Sequence, residues 1–193
     1  MRGRRKVGRG VPEEFPARKT DATAARNTAV GLLARREHAQ AEIKRKLRER
    51  GYDDAVTTEV VDELSRKRLI SDERFAEAFI RSRAERGQGP VRLKAELRHL
   101  QVSVELIERY LTAADVPWSR LAAEIRLRKF GKSIPSSLAE RAKQVRFLQY
   151  RGFTADQIRA ALGTACEDDL FEEAAADSDP SDIDADISSG IDS

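Results

Sequence analysis

Residues 36–52 read REHAQAEIKRKLRERGY, and this segment decides which fold the sequence predicts. Ile43 and Leu47 are four residues apart, which places them on one face of an α-helix, while basic residues fill most of the remaining circumference. Gly51 stands where helices commonly end in a left-handed conformation, and Tyr52 follows as an apolar anchor. The whole segment therefore predicts one short helix with a narrow buried stripe.

The outline of this segment returns twice along the chain. Leu47, Leu97 and Leu148 are separated by 50 and 51 residues, and each precedes a short helix-ending pair. These pairs are Gly51-Tyr52, Gln101-Val102 and Gly152-Phe153. A period near fifty residues indicates a repeat protein built from one supersecondary unit. We therefore predict an all-α fold of three tandem three-helix repeats in an elongated curved stack, with repeats at residues 24–70, 71–114 and 115–163.

Several capping signals mark where individual helices begin. Pro90 follows two glycines and is predicted at the first position of a helix, where its missing N–H costs nothing. Ser137 with Glu140, and Thr154 with Gln157, have the spacing of capping boxes. They predict the starts of the second and third helices of the last repeat.

Charge is distributed very unevenly along the 193 residues. Residues 167–193 contain eleven acidic residues and no lysine or arginine, so the rest of the chain carries +14 against a total of +3. We predict a disordered basic arm at residues 1–23 and a disordered acidic tail at 164–193. A basic body with an acidic tail is typical of proteins that bind nucleic acids or acidic surfaces, with the tail as modulator.

Several classes of protein are disfavoured by the sequence. The single cysteine, Cys166, excludes an intrachain disulfide, and no apolar run approaches the length of a membrane span. No apolar segment follows the basic N-terminus, so a cytoplasmic protein is expected.

His38 and His99 are interpreted as structural, and residues 87–89 lack the strand and glycine spacing of a phosphate loop. We expect no enzyme activity, metal or cofactor.

A basic face recurs at matched positions of the repeats. Lys44 and Arg48 are four residues apart on one helix, and Lys94 and Arg98 occupy the equivalent positions fifty residues later. The third repeat has an apolar and a neutral residue there, with other cations nearby. Candidate contacts with a polyanionic or groove-bearing partner are Lys44, Arg48, Lys94 and Arg98, with Arg83, Arg146 and Arg151 as secondary candidates. The alternative interpretation is that these are ordinary solvated helix surfaces.

The motifs together resemble the RecX family, regulators of the bacterial recombinase RecA. The segment at 36–52 is similar to the signature of its first repeat, and residues 69–76 with 83–97 are similar to the second. Residues 146–153, reading RFLQYRGF, are similar to the third. The resemblance covers about residues 28–163, with the motifs in the family's order.

Two positions depart from the family pattern. Ala39 replaces the serine that usually caps the helix after the motif's histidine, a loss of about 1 kcal/mol that makes this helix start less defined. Gln101 stands where a glycine is expected, so a different exit is expected for that helix.

The resemblance implies a non-enzymatic protein that binds RecA and the RecA–DNA filament, and we expect it to be a monomer. It would inhibit the recombinase, ATPase and co-protease activities of RecA, and so modulate DNA repair and the SOS response. The alternative function is a helical protein that binds nucleic acid without sequence preference and has no role specific to RecA. The acidic tail would compete with a partner for the basic face.

Overall fold

The computed structural model describes residues 20–133 and 135–163, which contain α-helices and no β-strand. The helices are α1 (Ala22–Leu33), α2 (Gln40–Glu49), α3 (Asp54–Arg66), α4 (Asp72–Glu85), α5 (Pro90–His99), α6 (Val104–Ala113), α7 (Trp118–Phe130), α8 (Leu138–Tyr150) and α9 (Ala155–Leu162). The predicted all-α fold with three helices per repeat is confirmed. No helix in the described residues is both long and apolar enough to cross a membrane.

The chain divides into two compact units. The first unit ends at Asp72 and holds α1–α3, and the second begins at Glu73 and holds the remaining helices. The second and third repeats therefore lie in the same unit.

Helix α1 extends two residues into the segment predicted as a basic arm. The carboxylate of Asp21 accepts hydrogen bonds from the backbone N–H groups of Thr23 at 2.8 Å and Ala24 at 3.1 Å. An aspartate before an alanine-rich run is a strong N-cap, so the helix begins at Ala22. The remainder of the predicted arm, and the predicted acidic tail from residue 164, lie outside the described residues.

Helix α2 begins later than the sequence predicted, and its cap comes from a distant residue. Arg36 and His38 lie in the connection before Gln40, and Ala39 offers no side-chain cap. The Asp72 carboxylate instead accepts hydrogen bonds from the backbone N–H of Gln40 at 2.9 Å and from its side-chain amide at 3.2 Å. The missing serine is therefore compensated from 32 positions away.

The first repeat buries the predicted stripe of α2 between α1 and α3. Ile43 and Leu47 are fully buried, and each contributes about 1.5–3 kcal/mol through burial. The buried cluster comprises Ala25, Ala29, Ile43, Leu47, Tyr52, Val60, Val61, Leu64 and Ile70.

All three central helices end in the same way. Gly51, Gln101 and Gly152 have φ angles of 84°, 60° and 86°, so all three are left-handed. The following residue in each case donates its backbone N–H to the carbonyl of the repeat leucine: Tyr52 to Leu47 at 3.2 Å, Val102 to Leu97 at 3.1 Å and Phe153 to Leu148 at 3.1 Å. The expectation that Gln101 changes the exit is wrong, because burial of the apolar anchor holds the turn without a glycine.

Helix α8 buries a wider face than its counterparts α2 and α5. Val145 and Leu148 are fully buried, as predicted, and Gln144 is buried beside them. Val145 occupies the position that Lys44 and Lys94 hold in the first two repeats. In the third repeat this position therefore belongs to the buried core, together with Ala122, Ile125, Phe153 and Ile158.

Candidate interaction surface

The candidate cations of the first repeat are ion-paired within that repeat. Lys44 Nζ lies 3.9 Å from Asp62 Oδ1 on α3, and Arg48 pairs with Asp54 at the start of the same helix. The two cationic side chains remain 28% and 51% exposed. Exposed ion pairs contribute at most about 1 kcal/mol, so these cations can exchange partners at small cost.

The second repeat repeats this arrangement in part. Lys94 of α5 pairs with Glu108 of α6, as Lys44 of α2 does with α3. Arg98 is exposed and has no acidic partner among the described residues. The matched register predicted from the sequence thus places equivalent cations at equivalent positions of two repeats.

The secondary candidates are held more firmly by their surroundings. Arg83 Nε lies 3.5 Å from Glu96 Oε2, and its guanidinium lies 5.0 Å from the ring centroid of Phe79. Arg151 Nη1 donates a hydrogen bond to the carbonyl of Arg86 at 3.2 Å. Arg83 and Arg151 therefore contribute to folding, which limits their freedom to bind a partner.

Arg146, the third secondary candidate, is half-buried on α8. It lies two positions before Leu148, the repeat leucine that is fully buried in the core. Its accessible surface is therefore smaller than that of the exposed Arg98.

A buried carboxylate gathers the charged residues of the first-repeat signature. Glu42 is 6% exposed, and its oxygens lie 2.6 Å from Arg36 Nη2, 2.9 Å from His38 Nδ1 and 3.8 Å from Lys46 Nζ. Burial by itself would raise the pKa of the Glu42 carboxyl, but the hydrogen bonds and charges of His38 and Arg36 lower it to about 2. Glu42 thus stays ionised and ties the connection before α2 to the helix itself.

The glycine segment of the second repeat makes a close backbone joint with the third. The N–H of Gly89 donates to the carbonyl of Arg151 at 2.7 Å, and the N–H of Val91 donates to that of Gly152 at 3.0 Å. A Cβ on Gly89 would lie 2.3 Å from the Gly152 oxygen, and one on Gly152 would lie 2.3 Å from the Cβ of Arg92. These glycines are therefore needed for packing, which agrees with rejecting a phosphate loop.

The largest concentration of positive charge was not predicted. The third repeat, residues 115–163, contains ten basic and four acidic residues, a net charge of +6. The corresponding charges are +3 for residues 24–70 and +1 for residues 71–114. Counting charge by repeat would have revealed this difference, whereas a search for matched register passed over it.

Much of this charge lies at the elbow, which we define as residues 126–143: the end of α7, the connection, and the start of α8. Arg128, Lys129, Lys132 and Lys143 are all exposed. Among the described residues none of these four has an ion-pair or hydrogen-bond partner. The elbow is thus a cationic surface that the fold itself does not neutralise.

The described residues offer little catalytic chemistry. No three His, Cys, Asp or Glu side chains within residues 20–133 and 135–163 are placed to hold a metal ion. His38 is buried against Glu42, and His99 is exposed at the end of α5. The charged surface, rather than a pocket with convergent titratable groups, is the candidate site.

Comparison with known families places these observations in context. Residues 25–64 match the first three-helix domain of RecX, residues 71–111 match the second, and residues 120–162 match the third. The chain belongs to the RecX family. This confirms the family resemblance of the motifs, and RecX proteins are regulatory proteins by name.

Similar proteins cover most of the chain. It is 47% identical over 146 residues to the regulatory protein RecX of Halorhodospira halophila. The matched residues make up 76% of this chain and 91% of that relative. It is 39% identical over 155 residues to the regulatory protein RecX of Pseudomonas syringae pv. tomato, covering 80% of this chain and all of the relative.

Solved structures share the fold. A crystal structure of regulatory protein RecX has a TM-score of 0.62 at 20% identity, covering 73% of this chain and 70% of the other. The structure of RecX from Lactobacillus salivarius has a TM-score of 0.58 at 20% identity, covering 80% and 97%. At this identity the likeness supports the three-repeat fold of the RecX family.

Proposed function

We propose that this RecX-family protein regulates RecA by binding RecA and its filament on DNA. It inhibits the recombinase, ATPase and co-protease activities of RecA, and so modulates DNA repair and the SOS response. It acts in the cytoplasm as a monomer, without catalysis of its own. The observation that carries the proposal is the presence of all three RecX domains in order, in a chain whose relatives are named as regulatory proteins.

The proposed contacts use cations whose internal ion pairs are weak. Lys44, Arg48 and Lys94 each face one carboxylate of the neighbouring helix and remain partly exposed, while Arg98 is exposed. Replacing an internal carboxylate by one on RecA exchanges one ion pair for another, so the exchange costs little. Secondary contacts are proposed for three further arginines: Arg83, Arg146 and Arg151.

The direct test is the DNA-dependent ATP hydrolysis of RecA, measured with this protein added to preformed and to growing filaments. Inhibition at ratios well below one protein per RecA monomer is expected, because a regulator that caps or destabilises a filament affects many protomers at once. Inhibition that requires saturation of the DNA would instead indicate simple competition for DNA.

A charge-removing variant then tests these cations. Lys44, Arg48, Lys94 and Arg98 are replaced together by Gln, which avoids placing a new carboxylate beside Asp62, Asp54 or Glu108. Inhibition of ATP hydrolysis is expected to weaken at least about tenfold, as for loss of several interfacial charges. The matched control replaces four other ion-paired arginines, Arg45, Arg109, Arg120 and Arg159, by Gln. Equal loss in both variants would contradict the assigned contacts.

The second candidate function is nucleic-acid binding without a role specific to RecA. The uncompensated cations of the elbow favour it. Binding to DNA with no inhibition of RecA would select this function over the first.

A further inference from the structure

We infer that the elbow of the third repeat is a binding site for the phosphodiester backbone of nucleic acid, separate from the cations assigned to RecA. The inference goes beyond the proposed regulation of RecA and rests on the second candidate function, because it assigns contact with nucleic acid to one surface. It rests on three observations: the place of the elbow in the repeat array, a buried arginine without a carboxylate, and four exposed cations without partners.

The connection within the elbow differs from its counterpart in the second repeat, which is hydrogen-bonded to a neighbouring repeat. In the second repeat, the connection from α4 to α5 is hydrogen-bonded by the next repeat, through Gly89 to Arg151 and Val91 to Gly152. The equivalent connection in the third repeat is residues 131–137. Among the described residues no backbone–backbone hydrogen bond joins it to another repeat. This surface of the repeat unit is therefore left available to a partner.

Arg126 places an uncompensated charge beneath this surface. Its side chain is only 6% exposed, and Nε donates to Gln144 Oε1 at 2.8 Å while Nη2 donates to the carbonyl of Ser133 at 2.7 Å. Both partners are neutral, and no carboxylate among the described residues pairs with Arg126. A guanidinium stays charged at any ordinary pH, and a buried charge without a counter-charge is costly. An anion bound at the elbow would supply the missing counter-charge.

The exposed cations add positive charge on both helices of the elbow and on the connection between them. Arg128 and Lys129 lie at the end of α7, Lys132 lies in the connection, and Lys143 lies on α8. The acid in this segment, Glu140, is already engaged, because its carboxylate accepts hydrogen bonds from the N–H and hydroxyl of Ser136. Glu140 keeps its negative charge but forms no ion pair with any of these four cations among the described residues, so positive charge prevails in the elbow.

A phosphodiester backbone fits this surface better than an acidic protein does. Backbone binding needs several accessible cations with flexible side chains and no specific pocket. A protein partner would need a desolvated apolar anchor at the centre of the contact. The elbow instead exposes two separate leucines, Leu127 at 42% and Leu138 at 59%, on different helices. The half-buried Phe130 is packed edge-to-face against Phe147 at 5.3 Å, which leaves it unsuited to stacking on bases.

The test compares two variants of the full chain with equal changes of charge. The elbow variant replaces Arg128, Lys129, Lys132 and Lys143 by Gln, and the matched control replaces Arg45, Arg109, Arg120 and Arg159 by Gln. Binding to a fluorescein-labelled duplex of random sequence, about 30 base pairs long, is followed by fluorescence anisotropy without RecA, between about 50 and 200 mM salt. Far-UV circular dichroism verifies that both variants keep the helical content of the wild type.

The elbow variant is expected to lose about tenfold or more in affinity at the lowest salt concentration. The slope of log affinity against log salt should fall by up to about 3.6, since each of the four lost phosphate contacts removes about 0.9. The control should keep both its affinity within about twofold and its slope, because its four cations are distributed over α2, α6, α7 and α9 instead of being concentrated in the elbow.

Either of two results would overturn the inference. One is wild-type affinity and slope in the elbow variant. The other is an elbow variant that still binds DNA but no longer binds RecA in the absence of DNA. That result would assign the elbow to an acidic protein surface. The proposed function stands or falls separately, because inhibition of RecA is measured in its own assay with the variant that lacks Lys44, Arg48, Lys94 and Arg98.

Discussion

The connection between the first two helices has opposite surroundings in the second and third repeats. Residues 86–89 are covered by the turn at 151–152, at a distance that only glycine allows on either side. Residues 131–137 make no backbone hydrogen bond to another repeat among the described residues, and exposed cations lie within this connection and on the two helices that it joins. One position of the repeat thus serves for stacking in the second repeat, and becomes a candidate binding surface in the third.

The largest expected effect comes from breaking the covered connection. In Gly152→Ala, the strain of a φ angle of 86° is joined by overlap of the new Cβ with Arg92. The two costs together should lower the free energy of unfolding of the second unit by about 4 kcal/mol. Urea denaturation followed by circular dichroism measures this loss.

Its control lies in the open connection. Gly131 has a similar φ angle of 78°, but a Cβ added there would meet no atom within 4 Å beyond its chain neighbours. With ψ at −170° this is a conformation that essentially only glycine adopts, so Gly131→Ala should cost the backbone strain alone, about 1–3 kcal/mol. Equal losses in the two variants would show that the close approach at Gly152 is not what joins the repeats.

The first and third repeats also differ in whether an arginine near buried polar side chains has an acidic partner. Arg36 has Glu42 beside it, whereas Arg126 has only neutral partners. Because the folded-state pKa of Glu42 is about 2 against an ordinary 4.5, its stabilising effect is present above pH 4.5 and is lost as pH falls toward 2. The loss amounts to up to about 3 kcal/mol, from about 1.36 kcal/mol per pKa unit.

Urea denaturation at several pH values between 4.5 and 2 measures this effect on the first unit. The Glu42→Gln variant should lack this part of the pH dependence, whereas Glu59→Gln, on an exposed position of α3, should keep it. The same acid sensitivity in Glu42→Gln would assign it to other carboxylates.

The smallest expected effect concerns the exits of the central helices. Gln101 is left-handed where the other two repeats have glycine, which costs about 1–2 kcal/mol for a residue with a Cβ. Gln101→Gly should raise stability by about 0.5–1 kcal/mol, since part of this gain is lost to the greater entropy of glycine in the unfolded chain. Thermal unfolding followed by circular dichroism measures the change.

The neighbouring His99→Gly serves as its control. His99 is the last residue of α5, so glycine there should lower stability by up to about 1 kcal/mol. An unchanged or lowered stability in Gln101→Gly would mean that the glutamine side chain contributes to the exit.

Much of the fold could be predicted from local signals in the sequence. The stripe of Ile43 and Leu47, the start of α5 at Pro90 and the capping box of Thr154 with Gln157 all depend on residues within one or two helical turns. The Ser137 side chain also caps α8, although Glu140 reaches Ser136 rather than the cap residue itself. Signals of this range are visible in a single sequence, because their partners are near neighbours in the chain.

The candidate surface was predicted only in part. The equivalent positions of Lys44 and Lys94 follow from the repeat spacing, but their ion pairs with Asp62 and Glu108 depend on how adjacent helices pack. The elbow differs again, because its net charge was countable from the sequence while the absence of internal partners among the described residues was not. Whether a cation is free depends on which acids the fold brings near it.

The sequence by itself determined the repeat period, the helical class and the leucine that each central helix buries, since these depend on spacing along the chain. Tertiary structure decided that Asp72 caps α2, that Gly89 meets Gly152, and that Arg126 is buried among neutral groups. Each of these depends on residues between 18 and 63 positions apart. Such residues become neighbours only after the helices have packed, so no local pattern records them.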